Sequence, residues 1–308
     1  MAGRTSERVE PNPMMVPEIQ GPWWPIAGDP DLGEFTDVNQ QPVDFAVWQA
    51  ADGTWQLWSC IRHTKCGGMS RLFYRWEGRD ITDSDWQPMG IAMQAEPAYG
   101  ETPGGLQAPH VIGHDGNPET CLSYLMLYGD WVHICAAVSA DGKNFQRRVL
   151  PGGVTGMFSE GENASARDPM LLRIGGLWHC YYTAHPNGQG AVFCRTSTDT
   201  VHWSESKIVA CGGSAGSGPC SAECPFVVEI VGDYYLFRTQ RYGEDAQTSV
   251  YRSNDPMDFG VNDDRYLVCA LPIAAPEVVE HDGQWYLACL MPSLKGIHVA
   301  RLVWETHG

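Results

Sequence analysis

An all-β fold, a five-bladed β-propeller, is predicted by three observations. One two-strand unit recurs five times along the chain, a turn signature follows it in three copies, and amphipathic helical spacing is weak throughout. The unit opens with small or acidic residues, often with a Pro, and continues as an apolar strand, a Gly turn and an aromatic strand.

The copies run in order as VDFAVWQAADGTWQLWSC (Val43 to Cys60), QAPHVIGHDGNPETCLSYLMLY (Gln107 to Tyr128), RDPMLLRIGGLWHCYYTAH (Arg167 to His185), ECPFVVEIVGDYYLFRTQR (Glu223 to Arg241) and APEVVEHDGQWYLACLM (Ala275 to Met291). With Asp44, Ala108, Asp168, Glu223 and Ala275 as markers, the spacings are 64, 60, 55 and 52 residues. Asp52-Gly53, Gly175-Gly176 and Asp282-Gly283 suit tight hairpins between the two strands. A third strand follows each unit, announced by Ser139/Asp141/Phe145, Ser197/Asp199/Trp203 and Ser253/Asp255/Phe259. Asp side chains there organise turns by bonding nearby backbone amides. Five such units fit radial repetition around a channel. Residues 41–308 are assigned to this propeller, and residues 1–40 to an N-terminal arm packing on it.

Composition excludes several function classes. The formal net charge is −17 with no Lys/Arg cluster, so a nucleic-acid partner is not expected. No run of about 18 apolar residues predicts a membrane span. The start lacks the apolar stretch of a secretory signal, and a cytoplasmic protein is expected. Eleven cysteines are read as reduced, and Cys121, Cys135, Cys180, Cys194 and Cys289 lie in apolar strand runs as small core residues. Cys220 and Cys224 lack a second pair at zinc-ligand spacing. The glycine-rich stretch Cys211 to Pro219 lacks the Lys-Ser/Thr of a phosphate loop.

Circular closure carries the functional expectation. The starts of all first strands converge at one mouth, and second strands return to it. Asp44, Asp168 and Glu223 then share a pocket, where like charges raise at least one carboxyl pKa. Glycosidic cleavage uses such a set, one carboxyl protonating the leaving oxygen and another acting as base or nucleophile. Arg62, His63, His185 and Arg241 sit at strand-two ends near the same mouth. His110 follows the blade-two Ala-Pro and could bond a sugar hydroxyl. Glu277 is a fourth acid or a rim residue, and Trp24 of Trp23-Trp24 is a pocket wall or an anchor for the arm.

Arg167-Asp168-Pro169 resembles the RDP motif, and Glu223-Cys224-Pro225 the EC motif, of family 32 and 68 glycoside hydrolases. The layout is similar to family 43, a single five-bladed propeller of about this length, over roughly residues 40 to 305. That resemblance implies Glu223 as general acid, Asp44 as base or nucleophile, and Asp168 as the group tuning the acid, with Arg167 beside them on substrate. It implies an exo-acting glycosidase on a small oligosaccharide or glycoside, an arabinofuranoside being the first guess. No organic cofactor is expected; some relatives hold a calcium ion in the channel. The family 32 motif Trp-Met-Asn-Asp-Pro-Asn and C-terminal sandwich are absent, which weakens a fructosidase assignment. A non-catalytic sugar- or protein-binding propeller, and a phosphorylase or transglycosidase, stay open. Sugar, linkage, stereochemistry and oligomeric state are left undetermined.

Overall fold

The computed structural model describes residues 12–113 and 123–307. Strand forms wherever β-branched and aromatic residues alternate between Gly turns, and the strands assemble into five antiparallel sheets. Blade one runs from the channel outward as Gln41–Gln49, Trp55–Arg62, Leu72–Gly78 and Gln87–Met93. Blade two contains Gln107–Gly113, Tyr124–Gly129, Ile134–Ser139 and Gly156–Phe158, with the short Gln146–Arg147 also pairing its third strand. Blade three contains Arg167–Ile174, Leu177–Ala184, Ala191–Ser197 and Lys207–Cys211. Blade four contains Glu223–Ile230, Asp233–Arg241, Gln247–Ser253 and Leu267–Leu271. The inner strands touch in the cyclic order one, two, three, four, five, one, which makes the assembly a five-bladed propeller.

Blade five corrects the division at residue 40. Its inner strands are Glu277–His281, Gln284–Leu290 and Gly296–His307, and its outer strand is Met14–Gly28, paired antiparallel from Met14↔His307 to Gly28↔Gly296. Met14–Gly28, within the segment set apart as an arm, is therefore a strand of the propeller. Pro17, Pro22 and Pro25 obscure it as a strand, yet an outer edge tolerates residues that cannot donate to a ladder.

Apolar faces pack between blades. Trp48, Trp58 and Phe145 meet edge-on at the blade one–two boundary, with centroids 5.3–6.1 Å apart. Tyr181 meets Phe259, and Tyr235 meets Trp304, in the same manner across later boundaries. Cys135, Cys180, Cys194 and Cys289 are free and fully buried, while Cys121 lies outside the described residues. Each expected turn aspartate also acts as expected: Asp141 accepts from the amides of Lys143 and Asn144, Asp199 from Val201 and His202, and Asp255 from Met257.

One local feature is repeated in every blade. Asp44, Ala108, Asp168, Cys224 and Ala275 all adopt left-handed backbone, with φ of 32, 40, 55, 46 and 51°. A register slip accompanies the first four, as in a β-bulge. Only Asp among these residue types accepts such a conformation readily, so its recurrence at Ala and Cys reflects a demand of the ring rather than of the residue. In blades two, three and four the preceding residues, Gln107, Arg167 and Glu223, stand one step nearer the mouth.

Candidate active site

That bulge decides which residues meet. Asp44, Ala108, Asp168, Cys224 and Ala275, each followed by Phe45 or a Pro, line a narrow throat around a void of about 20 Å³, room for about one water. In blade four the axial position is Cys224, so the marker Glu223 was one residue early. Aligning the prolines Pro109, Pro169, Pro225 and Pro276 would have found it. Glu223 instead occupies the position of Gln107 and Arg167, one step toward the mouth.

Above the throat, Asp44, Arg62, Arg71, Gln107, Arg167, Glu223 and Tyr242 surround a cavity of about 50 Å³. This cavity continues into a wider one of about 330 Å³, which shares Arg71, Gln107, Arg167 and Glu223 and adds Trp131, Glu162, Asn163, Ser165, His185 and Cys220. That volume is at the small end of ligand clefts. Three carboxylates from three blades, 124 and 55 residues apart in sequence, are thus brought near one another: Asp168 lines the throat, Glu223 the cavities above it, and Asp44 both the throat and the inner cavity.

Their electrostatics differ. Asp168 is 5% exposed, and burial, followed by the Asp44 charge, pushes its carboxyl up to about 7, with Arg167 opposing. Glu223 is ion-paired instead: Arg167 donates to its Oε1 through Nη2 at 2.7 Å and Nε at 3.2 Å. The same guanidinium reaches within 3.8 Å of Asp168. Its remaining donors go to the Ser165 carbonyl and toward His185 Nδ1. Burial and Arg167 in turn hold the His185 imidazole below its usual range.

Cys224 joins the two aspartates. Its backbone N–H donates to Asp168 Oδ2 at 3.0 Å, and its thiol donates to Asp44 Oδ1 at 3.3 Å. Tyr242 Oη lies 3.3 Å from the same sulfur. Burial and the carboxylates around it push the Cys224 thiol well above its usual range, so it remains a donor.

The expected supporting residues divide. Arg62, Arg167 and His185 line the cavity. Glu277 lines the throat, and His110 is 5% exposed beside it, with its Nδ1 3.9 Å from Glu277 Oε2 and both ring nitrogens without a hydrogen-bond partner among the described residues. Burial pushes the Glu277 carboxyl up. Neither lines the sugar-sized cavity. Arg241 is exposed and turns to Gln247 on the neighbouring strand, its place at the mouth being taken by Tyr242. Trp24 sits in the outer strand of blade five, partly buried against the core, and Trp23 stacks on His298 at 3.9 Å; neither reaches the cavity. Among the described residues no group of three or more His, Cys, Asp or Glu could hold a metal ion.

Sequence reasoning missed Arg71, Gln107, Trp131, Cys224 and Tyr242. Gln107, Cys224 and Tyr242 are neighbours in sequence of Ala108, Glu223 and Arg241, so a one-residue change of register would have found them. Arg71 and Trp131 stand on loops outside the repeated unit.

No family model matches the chain, and no curated protein matches it. Solved structures do. A thermostable family-43 glycoside hydrolase matches at 16% identity with a TM-score of 0.63, over 89% of this chain and 95% of that one. The GH32 β-fructofuranosidase of Bombyx mori matches at 18% identity and 0.60, over 91% of this chain but only 61% of its own length. A member of the GH130 family of mannoside phosphorylases, which contains glycoside hydrolases, matches at 14% and 0.60, over 90% and 94%. The five-bladed propeller is therefore the fold of glycoside-cleaving enzymes, and at these identities the likeness is one of fold.

Proposed function

We propose that this chain cleaves glycosidic bonds, with Glu223 as general acid, Asp44 as base or nucleophile, and Asp168 as the residue that sets their protonation. The observation that supports this reading is that Asp44 lines both the throat, with Asp168, and the cavity above it, with Glu223, while Asp168 is pushed up to about 7 beside Asp44. Raising one carboxyl among neighbours is a way such sites keep a proton available for acid chemistry.

The Arg167–Glu223 ion pair refines the assignment. A general acid must present its oxygen to the leaving group, and in the free protein Arg167 occupies Glu223 Oε1 at 2.7 Å. In this reading the free protein stores the proton on Asp168. Substrate hydroxyls then draw Arg167 off Glu223, which takes up a proton and delivers it to the leaving group. Asp44, held by the Cys224 thiol, activates water or attacks the anomeric carbon. The widest of these cavities, about 330 Å³, suits a small glycoside, and we take the enzyme to be exo-acting.

The test is a panel of nitrophenyl glycosides, furanosides included, assayed with the native chain and Glu223→Gln. Loss of a general acid lowers turnover by about 10²–10⁴-fold. Full activity in Glu223→Gln would refute the acid assignment. A native chain that binds sugars but cleaves none would favour a binding propeller.

A further inference from the structure

The charge lining the inner cavity is opposite in sign to the charge of the chain. Three guanidiniums, of Arg62, Arg71 and Arg167, face two carboxylates there, those of Asp44 and Glu223. The lining is thus +3 − 2 = +1 on a chain whose formal net charge is −17. Asp168 beneath, at about 7, adds only part of a charge near neutrality.

The three arginines are not equally occupied. Arg167 is committed to Glu223, Ser165 and His185. Arg62 donates its Nε to Gln41 Oε1 at 2.9 Å, and among the described residues no carboxylate lies within 4.0 Å of its nitrogens. Arg71 is the least satisfied. Its one side-chain hydrogen bond among the described residues is a 3.8 Å contact to the sulfur of Cys60, and no carboxylate is paired with it. A guanidinium carries five donors, and none of those of Arg71 is both buried and unpartnered, so its free donors face the open cavity and are available to a ligand.

Arg71 is also held in place. Its guanidinium lies against the Trp131 ring at 5.2 Å from the centroid. Trp131 itself sits at φ 84°, an outlier for a bulky residue and a form of strain that clusters at ligand clamps. The Arg71 backbone is tied by its N–H to the Gly104 carbonyl at 2.9 Å. Both side chains line the wide cavity, and Arg71 lines the narrow one too. The geometry is a fixed fork of donors above the carboxylates, open to whatever enters.

We propose that Arg71, assisted by Arg62, forms an anion subsite that receives an oxyanion next to the scissile bond. Two sources share that chemistry: the carboxylate of an acidic sugar in the glycoside, or inorganic phosphate acting as second substrate. With phosphate, one of its oxygens bonds to the anomeric carbon as the glycosidic C–O bond breaks. The leaving alcohol takes the proton of the acid, and a sugar 1-phosphate is released. The sugar arm rests on the glycoside-cleaving reading; anion binding by itself does not.

Calorimetric titration at low ionic strength and pH 7 tests it, with glucuronate, galacturonate, mannuronate, their neutral parent sugars and sodium phosphate as probes. The native chain, Arg71→Gln and Arg71→Lys are compared, each shown to be folded by its melting curve. At least one anion is expected to bind about tenfold or more tighter than the neutral sugars, and Arg71→Gln to erase that preference while Arg71→Lys keeps part of it. A uronate preference identifies an acidic glycoside. Phosphate binding, with sugar 1-phosphate among the products of cleavage, identifies phosphorolysis. The proposal is overturned if no anion outbinds the neutral sugars, or if Arg71→Gln binds anions as the native chain does. Anion binding without cleavage of any glycoside would sink the catalytic reading and leave the subsite standing.

Discussion

Replacing Asp168 by Asn isolates the electrostatic load on the throat. An unfolded Asp titrates near 3.9, whereas burial and the Asp44 charge push Asp168 up to about 7. Between those values the folded chain keeps a proton that the unfolded chain has released. Its stabilising effect is complete below about pH 4 and is lost as pH rises through about 7. The full span amounts to at most about 4 kcal/mol. Asn stays neutral, still accepts from the Cys224 N–H, and tolerates the left-handed backbone. Urea unfolding of native and Asp168→Asn protein, followed by tryptophan fluorescence from pH 4.5 to 8, gives the comparison. The native-minus-variant difference is expected to decline by up to about 4 kcal/mol over that range. Carboxylates such as Asp141 and Asp199, which backbone amides and side-chain partners hold below their usual range and which slope the other way, cancel in the difference. Asp44→Asn removes the second cause of the shift and should move the decline toward lower pH. Parallel curves for native and Asp168→Asn would refute the argument that the throat imposes this load.

Cys224→Ala, which removes the donor to Asp44, should lower kcat/KM on a cleaved nitrophenyl glycoside about tenfold, and Cys224→Ser should restore most of it; Ala108 and Ala275 show that Ala accepts the same backbone. Glu101→Gln should cost about 3 kcal/mol in chemical unfolding, because its buried carboxylate is shared by the partly exposed Arg147 at 2.8 Å and the buried Tyr128 at 2.7 Å. Deleting residues 1–28 strips the outer strand from Gly296–His307 and leaves an unpaired edge; size-exclusion chromatography should show association or loss of the monomer peak, and an unchanged monomer of native melting temperature would contradict that role.

The propeller was legible because its strands repeat, and repetition survives uncertainty about any single strand. The turn aspartates were legible for the same reason. The exact axial register was not. Glu223 and Cys224 are adjacent, and only the bulge decides which faces the throat; its left-handed residue is Asp in two blades but Ala or Cys in three, so no glycine marks it. The outer strand Met14–Gly28 was hidden by its prolines, and its partner lies nearly the whole chain away. Arg71 and Trp131 escaped because loops obey no period: the blades bring them together, 60 residues apart, over a carboxylate belonging to neither loop. Arg241 and Trp24 show the converse failure, since proximity in sequence to the mouth says nothing about which way a side chain turns.

The pairing of Met14–Gly28 with Gly296–His307 has a consequence for how the molecule comes into being. In four blades the ladders join strands close in sequence, so each can zip up as its own stretch of chain becomes available. The remaining sheet must recruit a partner from the opposite terminus, so its assembly waits on the whole polypeptide and carries the largest loop-entropy cost of any ladder in the molecule. Until that latch snaps shut, the walls holding Asp44 and Asp168 against one another have no closed circumference to resist their repulsion.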